Sequence, residues 1–273
     1  MPELPEVESF RRYVEDHALH RKIQVIKLST AQMLQNTTLN SLKEVLESNT
    51  FVSTYRHGKF LFIKLKEHGF LMLHFGMTGE LLYAGKNNTP PKNYILRIHF
   101  HDGSTFSFSD SRMLGKIALT ENYNDFIKQR GYGPDALEIA EKEFMTLLSK
   151  RKAAIKTVLM NQKIIAGIGN EFSDAILFQC SIHPLSAVNH LKNVQVEEVF
   201  EVTKKILKEA VKVNADRDKL NHYFLLNQRK EGLTCVRCNG KTAFKTIGGR
   251  SSYFCPSCQI LPEQKTQISL FGE

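Results

Sequence analysis

Four of the five cysteines fall in one pattern, Cys235-x2-Cys238 and Cys255-x2-Cys258, with sixteen residues between the pairs. Two such knuckles bring four thiolates to the corners of a tetrahedron, which is the ligand set of a structural zinc ion. Four thiolates leave no open coordination position, so the metal would fold its segment and take no part in a reaction. Redox dithiol pairs are the other reading of the same spacing, and Cys180 stands apart as a small core residue. At the other end of the chain, Pro2 has a side chain small enough to permit removal of Met1. The freed secondary amine would titrate at about 8, and lower beside a helix N-terminus, so a useful fraction is neutral and nucleophilic at pH 7. The plainer reading of Pro2-Glu3 is a good helix start. A third feature is Ile165-Ala166-Gly167-Ile168-Gly169-Asn170, a glycine turn with Asn170 as N-cap of the next helix. An exposed helix N-terminus after such a turn is a ready anion site, and an ordinary helical hairpin is the alternative.

These groups must be held by folded elements, and the composition allows them. The chain has 273 residues, 42% hydrophobic and 24% charged, which excludes disordered, collagen-like and mucin-like classes. With 37 Lys+Arg against 28 Asp+Glu the net charge is +9, which favours a polyanionic partner. No run approaches 18 apolar residues, and the N-terminus has neither a basic start nor an apolar stretch. A chain that is neither secreted by a signal peptide nor membrane-spanning is expected. Residues 22–29, 51–55, 60–65, 70–75, 94–100 and 104–108 read as short strands of an antiparallel sandwich or barrel. A helix from Glu3 to about His17 precedes them, opened by prolines and acidic in its first turn. After residue 120 the period turns helical over 141–150, 153–161, 171–180 and 194–213.

Pro2-Glu3-Leu4-Pro5-Glu6-Val7-Glu8, the Ala166–Asn170 turn and the Gly249-Arg250-Ser251-Ser252-Tyr253-Phe254-Cys255-Pro256-Ser257-Cys258-Gln259 finger together resemble the formamidopyrimidine-DNA glycosylase and endonuclease VIII family, in order from residue 2 to 259. The resemblance implies a two-domain α+β protein. Its parts would be an N-terminal catalytic helix and β-sandwich (1–120), a linker (121–134), a helical domain with a helix-two-turn-helix (135–230), a zinc-finger β-hairpin (231–259) and a tail (260–273). The implied activity is base-excision repair of oxidised bases by a bifunctional glycosylase and abasic-site lyase. In that scheme Pro2 attacks the sugar C1′ and forms a Schiff base, and Glu3 moves the protons. Lys59 matches the family's hairpin lysine, which joins this set by meeting phosphate at the lesion. Lys156, Asn170 and Arg250 match DNA-binding positions, and Met77, Arg112 and Leu114 match the side chains that fill the hole left by an everted base. Cys235, Cys238, Cys255 and Cys258 would hold one structural zinc. Damaged duplex DNA would be the partner of a monomer.

Several positions depart from the family pattern. Met113 stands where a second basic residue is usual, and Asn161 where Asp is usual. Ala175 occupies the place of a Glu, so a carboxylate on the active-site side is missing; Glu171, one turn earlier on the same face, is the candidate replacement. A lesion or abasic-site binder with weakened base excision is the alternative that Ala175 opens. Residues 213–226 are shorter than the lesion-capping stretch of purine-directed members, and Leu226-Asn227-Gln228-Arg229 replaces their usual Val-Tyr-Gly-Arg. Beyond the finger, Gln267-Ile268-Ser269-Leu270-Phe271 resembles the peptide by which bacterial DNA-processing enzymes dock into the sliding clamp. Leu270 and Phe271 would be the anchors and Gln267 the rim contact, which would place the chain at the nucleoid of a bacterial cytoplasm.

Overall fold

The computed structural model describes residues 1–261, so the clamp-like peptide Gln267–Phe271 lies outside the described residues. The chain divides into two compact units, Met1–Gly131 and the remainder from Tyr132. No helix among the described residues is long and apolar enough to cross a membrane.

The first unit opens with α1 (Leu4–His17), which has Glu3 as its N-cap and Pro at the first turn. The Glu3 N–H donates to Glu6 Oε2 at 3.0 Å, so an otherwise orphaned amide is satisfied by the acidic first turn. Two four-stranded antiparallel sheets follow. One has the order β1 (Ile23–Leu28), β6 (Leu96–Phe100), β7 (Thr105–Asp110), β5 (Gly79–Ala84). The other has the order β2 (Phe51–His57), β3 (Phe60–Leu65), β4 (Phe70–His74), β8 (Lys116–Thr120). Alternate residues of β3 point opposite ways: Leu61, Ile63 and Leu65 enter the core with Phe75, Phe106 and Phe108, where Val7 and Val14 of α1 also pack. Strand β3 has the bounds expected from the sequence, whereas β5 and β8 had no counterpart there.

Two helices were also unanticipated. Helix α2 (Leu39–Leu46) is capped by Thr38, whose Oγ1 accepts the Ser41 N–H at 3.1 Å, and it buries Leu42 and Leu46. Helix α3 (Tyr123–Gln129) lies in the stretch read as a linker. Its Phe126 ring sits 5.9 Å from Phe60 and 5.6 Å from Phe62, and Tyr123 stacks on Tyr55 at 4.9 Å. The outward-facing aromatics of β3 therefore need this helix as cover, which is why residues 123–129 are ordered rather than a tether.

The second unit is helical, with α4 (Glu141–Ser149), α5 (Ile155–Met160), α6 (Asn170–Gln179), α7 (Asn193–Lys212) and the single turn α8 (Phe224–Asn227). Helix α6 buries seven consecutive residues, Phe172 to Phe178, so it is surrounded by neighbours on all sides. The chain ends its described part in a hairpin of β9 (Ala243–Ile247) and β10 (Arg250–Phe254). Gly248 and Gly249 join them with φ of +56° and +72°, the two left-handed residues that a two-residue hairpin turn requires.

Candidate functional site

The first unit carries two groups of expected site residues. Pro2 is half-buried and Glu3 fully buried at the start of α1, which packs against β2 and β3. Lys59, 9% exposed, sits in the tight turn between those strands, beside Gly58 with φ of +55°. The helix is tied to that turn by charge: Glu8 Oε2 accepts from Arg56 Nε at 3.0 Å, and Arg56 also donates to the Gly58 carbonyl at 3.2 Å. Arg11 and Arg56 together hold the Glu8 carboxyl below its ordinary range against the effect of burial, which raises it. Behind Lys59, the His74 ring is pushed down to about 4, first by burial and then by the Lys59 and Lys116 charges. Its Nδ1 accepts the Gly76 N–H at 3.3 Å, the hydrogen bond of a neutral ring.

That shift has a testable consequence. A histidine whose folded pKa lies below its ordinary 6.5 contributes stability fully above about 6.5, and the contribution is lost as pH falls toward 4. Acidification from pH 7 to 4 is expected to cost the parent up to about 3 kcal/mol more than a His74→Gln variant. Parallel melting curves at both pH values measure this; equal losses in the two proteins would contradict the neutral buried ring.

Met77, Arg112 and Leu114, separated in sequence, are gathered by a residue the sequence reading passed over. Asp110, 3% exposed, takes the Thr78 hydroxyl on Oδ1 at 2.5 Å. The same carboxylate takes the N–H groups of Leu114 at 2.9 Å and Gly115 at 2.7 Å on Oδ2. Arg112 N–H is shared between Asp110 Oδ1 and Thr78 Oγ1, each at 3.2 Å. The Met77–Thr78 turn and the 111–115 loop are thus pinned to one carboxylate. Gly76 allows the approach: with φ of +56°, a Cβ there would fall 2.6 Å from Gly115 N. Leu114 and its neighbour Met113 remain 45% and 44% exposed, two large apolar side chains held out on a fixed loop.

In the second unit, Asn170 is the first residue of α6 and Gly169 takes the cap position, so Asn170 is not the N-cap expected from the sequence. The turn before it is closed by Gln162, whose amide donates to the Ile168 carbonyl at 2.7 Å and accepts the Gly167 N–H at 2.9 Å. These bonds leave the Asn170 side chain uncommitted, and its Oδ1 is buried with no partner among the described residues. Arg250 is exposed at the start of β10, beside the glycine turn. Lys156, expected as a DNA contact, is instead fully buried in α5. Its ammonium pairs with Asp174 and donates to the Ser251 carbonyl at 3.2 Å, so in this arrangement it supports the finger from within.

Ala175 is 1% exposed, and its neighbour Asp174 is fully buried in an ion pair with Lys156. Glu171, the candidate replacement, forms an ion pair with Arg217 at 3.0 Å. Asn161 accepts the Lys163 N–H on Oδ1 at 3.0 Å, a bond that either Asn or Asp can make.

The four finger cysteines converge. Their sulfurs all lie within 4.8 Å of one another, with Cys235–Cys258 at 3.8 Å and Cys238–Cys255 at 3.5 Å. Tetrahedral zinc–sulfur bonds of about 2.3 Å would set sulfurs roughly 3.8 Å apart, so the set fits a metal ion of that kind. The knuckle is shaped by the backbone: Cys235 N–H donates to the Gly240 carbonyl at 2.7 Å, and Arg237 N–H points at Cys235 Sγ at 3.5 Å. Cys235 and Cys255 pack with Phe178, Phe224 and Leu225, joining the metal site to the helical core. Cys180 is buried apart from them, and burial pushes its thiol up to about 12.

Comparison with known proteins agrees with this arrangement. Residues 1–117 match the model of the formamidopyrimidine-DNA glycosylase N-terminal domain, and residues 131–221 match that of the formamidopyrimidine-DNA glycosylase H2TH domain. The chain is 31% identical to a formamidopyrimidine-DNA glycosylase of Pelotomaculum thermopropionicum, over 95% of this chain and 99% of that one. It is also 31% identical to one of Arabidopsis thaliana, over 96% of this chain and 71% of that one. The solved structure of the Lactococcus lactis enzyme bound non-covalently to DNA containing an abasic site superposes with a TM-score of 0.87 at 28% identity, covering 94% of this chain and 99% of that one. A complex of the Lactococcus lactis enzyme with FAPY-dG containing DNA gives 0.86 at 28% identity, covering 94% and 100%.

Proposed function

Since the chain belongs to the formamidopyrimidine-DNA glycosylase family, we propose that it is a base-excision repair DNA glycosylase that also cleaves the strand as an abasic-site lyase. The observation that carries this is the start of α1: a half-buried Pro2 directly before a fully buried Glu3, on a helix tied to the Lys59 turn. After removal of Met1, the neutral Pro2 amine attacks C1′ of the damaged nucleotide and the base departs with the bonding pair. The nitrogen gives up its N–H proton, which neutralises the departing base, and then shares the freed lone pair with C1′ as an iminium while the sugar ring oxygen takes a proton and the ring opens. Glu3 is the group placed to deliver and recover these protons. The iminium acidifies the adjacent C2′–H, and loss of that proton expels the 3′ phosphate. Lys59 stabilises phosphate charge there, and Asn170 and Arg250 hold the flanking backbone. Met77, Arg112 and Leu114 fill the hole left by the everted base, which offsets part of an eversion cost of a few kcal/mol.

Zinc is the metal proposed for the four cysteines, and when bound it supplies only cross-linking of the finger, since no coordination position stays open. The test of the activity is product analysis on a duplex carrying one oxidised base. Base release accompanied by strand scission supports both halves of the reading. Base release with an intact strand would remove the lyase half, and no release from any oxidised base would remove the glycosylase half, while an uncut preformed abasic site would remove the lyase half as well.

The terminal peptide is proposed to dock on a bacterial sliding clamp, through Leu270 and Phe271 in an apolar pocket. Its support is the order of its residues alone. The full chain is expected to bind the clamp, and Leu270→Ala/Phe271→Ala to bind at least about tenfold more weakly. Binding unchanged by the double substitution removes the proposal.

A further inference from the structure

Asp174 is fully buried yet meets three groups that come from three separate segments. It pairs with Lys156 of α5 through Oδ1. Its Oδ2 takes Arg229 at 2.6 Å and the Tyr253 N–H of β10 at 3.0 Å. The two cations also converge on a second acceptor, the Ser251 carbonyl, with Lys156 Nζ and Arg229 each at 3.2 Å. Arg229 in addition donates to the Asn170 carbonyl at 3.0 Å and lies over the Tyr253 ring at 5.1 Å. Burial pushes the Asp174 carboxyl up, and Lys156 and Arg229 are the charges that oppose that rise.

The consequence is geometric. Ser251 is the residue after Arg250, and Asn170 is the residue that opens α6, so the shared network fixes the two ends of one span. We infer that Asp174 is the positioning residue that sets the finger hairpin against the start of α6, so that Asn170 and Arg250 act on the DNA backbone as a single clamp. A buried carboxylate with two cations and one amide has little rotational freedom. The Asn170 Oδ1, by contrast, is buried with no partner among the described residues, and the Arg250 side chain is exposed. This rests on reading Asn170 and Arg250 as DNA contacts.

The experiment is a double-substitution cycle in the full zinc-loaded chain, read by binding to a duplex containing the tetrahydrofuran analogue of an abasic site at several salt concentrations. Arg250→Ala is expected to weaken binding about tenfold and to lower the salt slope by about one. Asp174→Asn keeps an acceptor for the Tyr253 N–H and is expected to weaken binding by a similar factor with the same loss of slope. The combined variant is expected to bind no more weakly than either alone, because a misplaced Arg250 has nothing left to lose. Independent, multiplying losses would overturn the inference, as would an Asp174→Asn variant that binds like the parent. Should Asp174→Asn fail to retain zinc, Arg229→Lys takes its place in the cycle, since it keeps the charge but cannot span all three oxygens. Arg250→Ala binding like the parent, with its slope unchanged, would overturn the clamp reading itself and the inference with it.

Discussion

Pro2→Gly is expected to lower covalent trapping by borohydride at least about a hundredfold while leaving DNA affinity within about twofold. The substituted chain still ends in an amine after Met1 is removed, so the expected loss is one of placement and of amine type. A proline nitrogen has two carbon substituents and a fixed ring, and its adduct is an iminium with no N–H proton to lose, so it stays charged and remains an electron sink. A glycine amine at a chain end samples many orientations, and only a small fraction lies within attacking distance of C1′. The fold has little stake in the change, because Pro2 precedes the helix and the apolar anchors of α1 are Leu4, Pro5, Val7 and Val14. Retention of Met1 should abolish trapping by converting the amine into an amide. Trapping undiminished in a chain shown by mass to retain Met1 would contradict the role of Pro2.

The second large effect concerns the metal. Chelation, or Cys255→Ser, should unfold the finger, because metal binding supplies about 10 kcal/mol or more of the folding free energy in isolated zinc modules. The loss should spread into the helical core, since Cys235 and Cys255 pack with Phe178, Phe224 and Leu225. Arg237 would follow, as it donates to the Phe178 carbonyl at 2.6 Å and lies 4.3 Å over the Phe178 ring. Abasic-site DNA binding is expected to fall with the finger, because Arg250 loses the hairpin that presents it. Active protein with no bound zinc by elemental analysis would contradict this.

The parts of the molecule legible in the sequence were those that repeat a local rule. The proline-opened helix, the alternating run of β3 and the two cysteine knuckles each declare themselves within a few residues. What escaped reading depends on partners far along the chain. Helix α3 is short and polar on one side, and only the aromatics of β3, about sixty residues earlier, show why Tyr123 and Phe126 recur at helical spacing. Helix α2 did carry a signal, with Thr38 as cap and Leu39, Leu42 and Leu46 on one face, and could have been found. Asp110 looks like a strand-end carboxylate until Thr78, Leu114 and Gly115 are seen to point their donors at it. Asp174 is the clearest case. The sequence drew attention to the Ala beside it and to Glu171 one turn away, and only the packing of α5, α6 and β10 reveals which carboxylate faces Lys156.

The central claim, covalent catalysis by the chain's own terminal amine, is tested most directly by peptide mapping after borohydride reduction. The processed protein is mixed with an oxidised-base duplex, reduced, digested, and the DNA-modified peptide located by mass. The account predicts a single modified peptide that begins at Pro2, lacks Met1 and carries the sugar remnant on the proline nitrogen. An adduct on Lys59 or any other lysine, or complete base excision with no adduct at all, would contradict it.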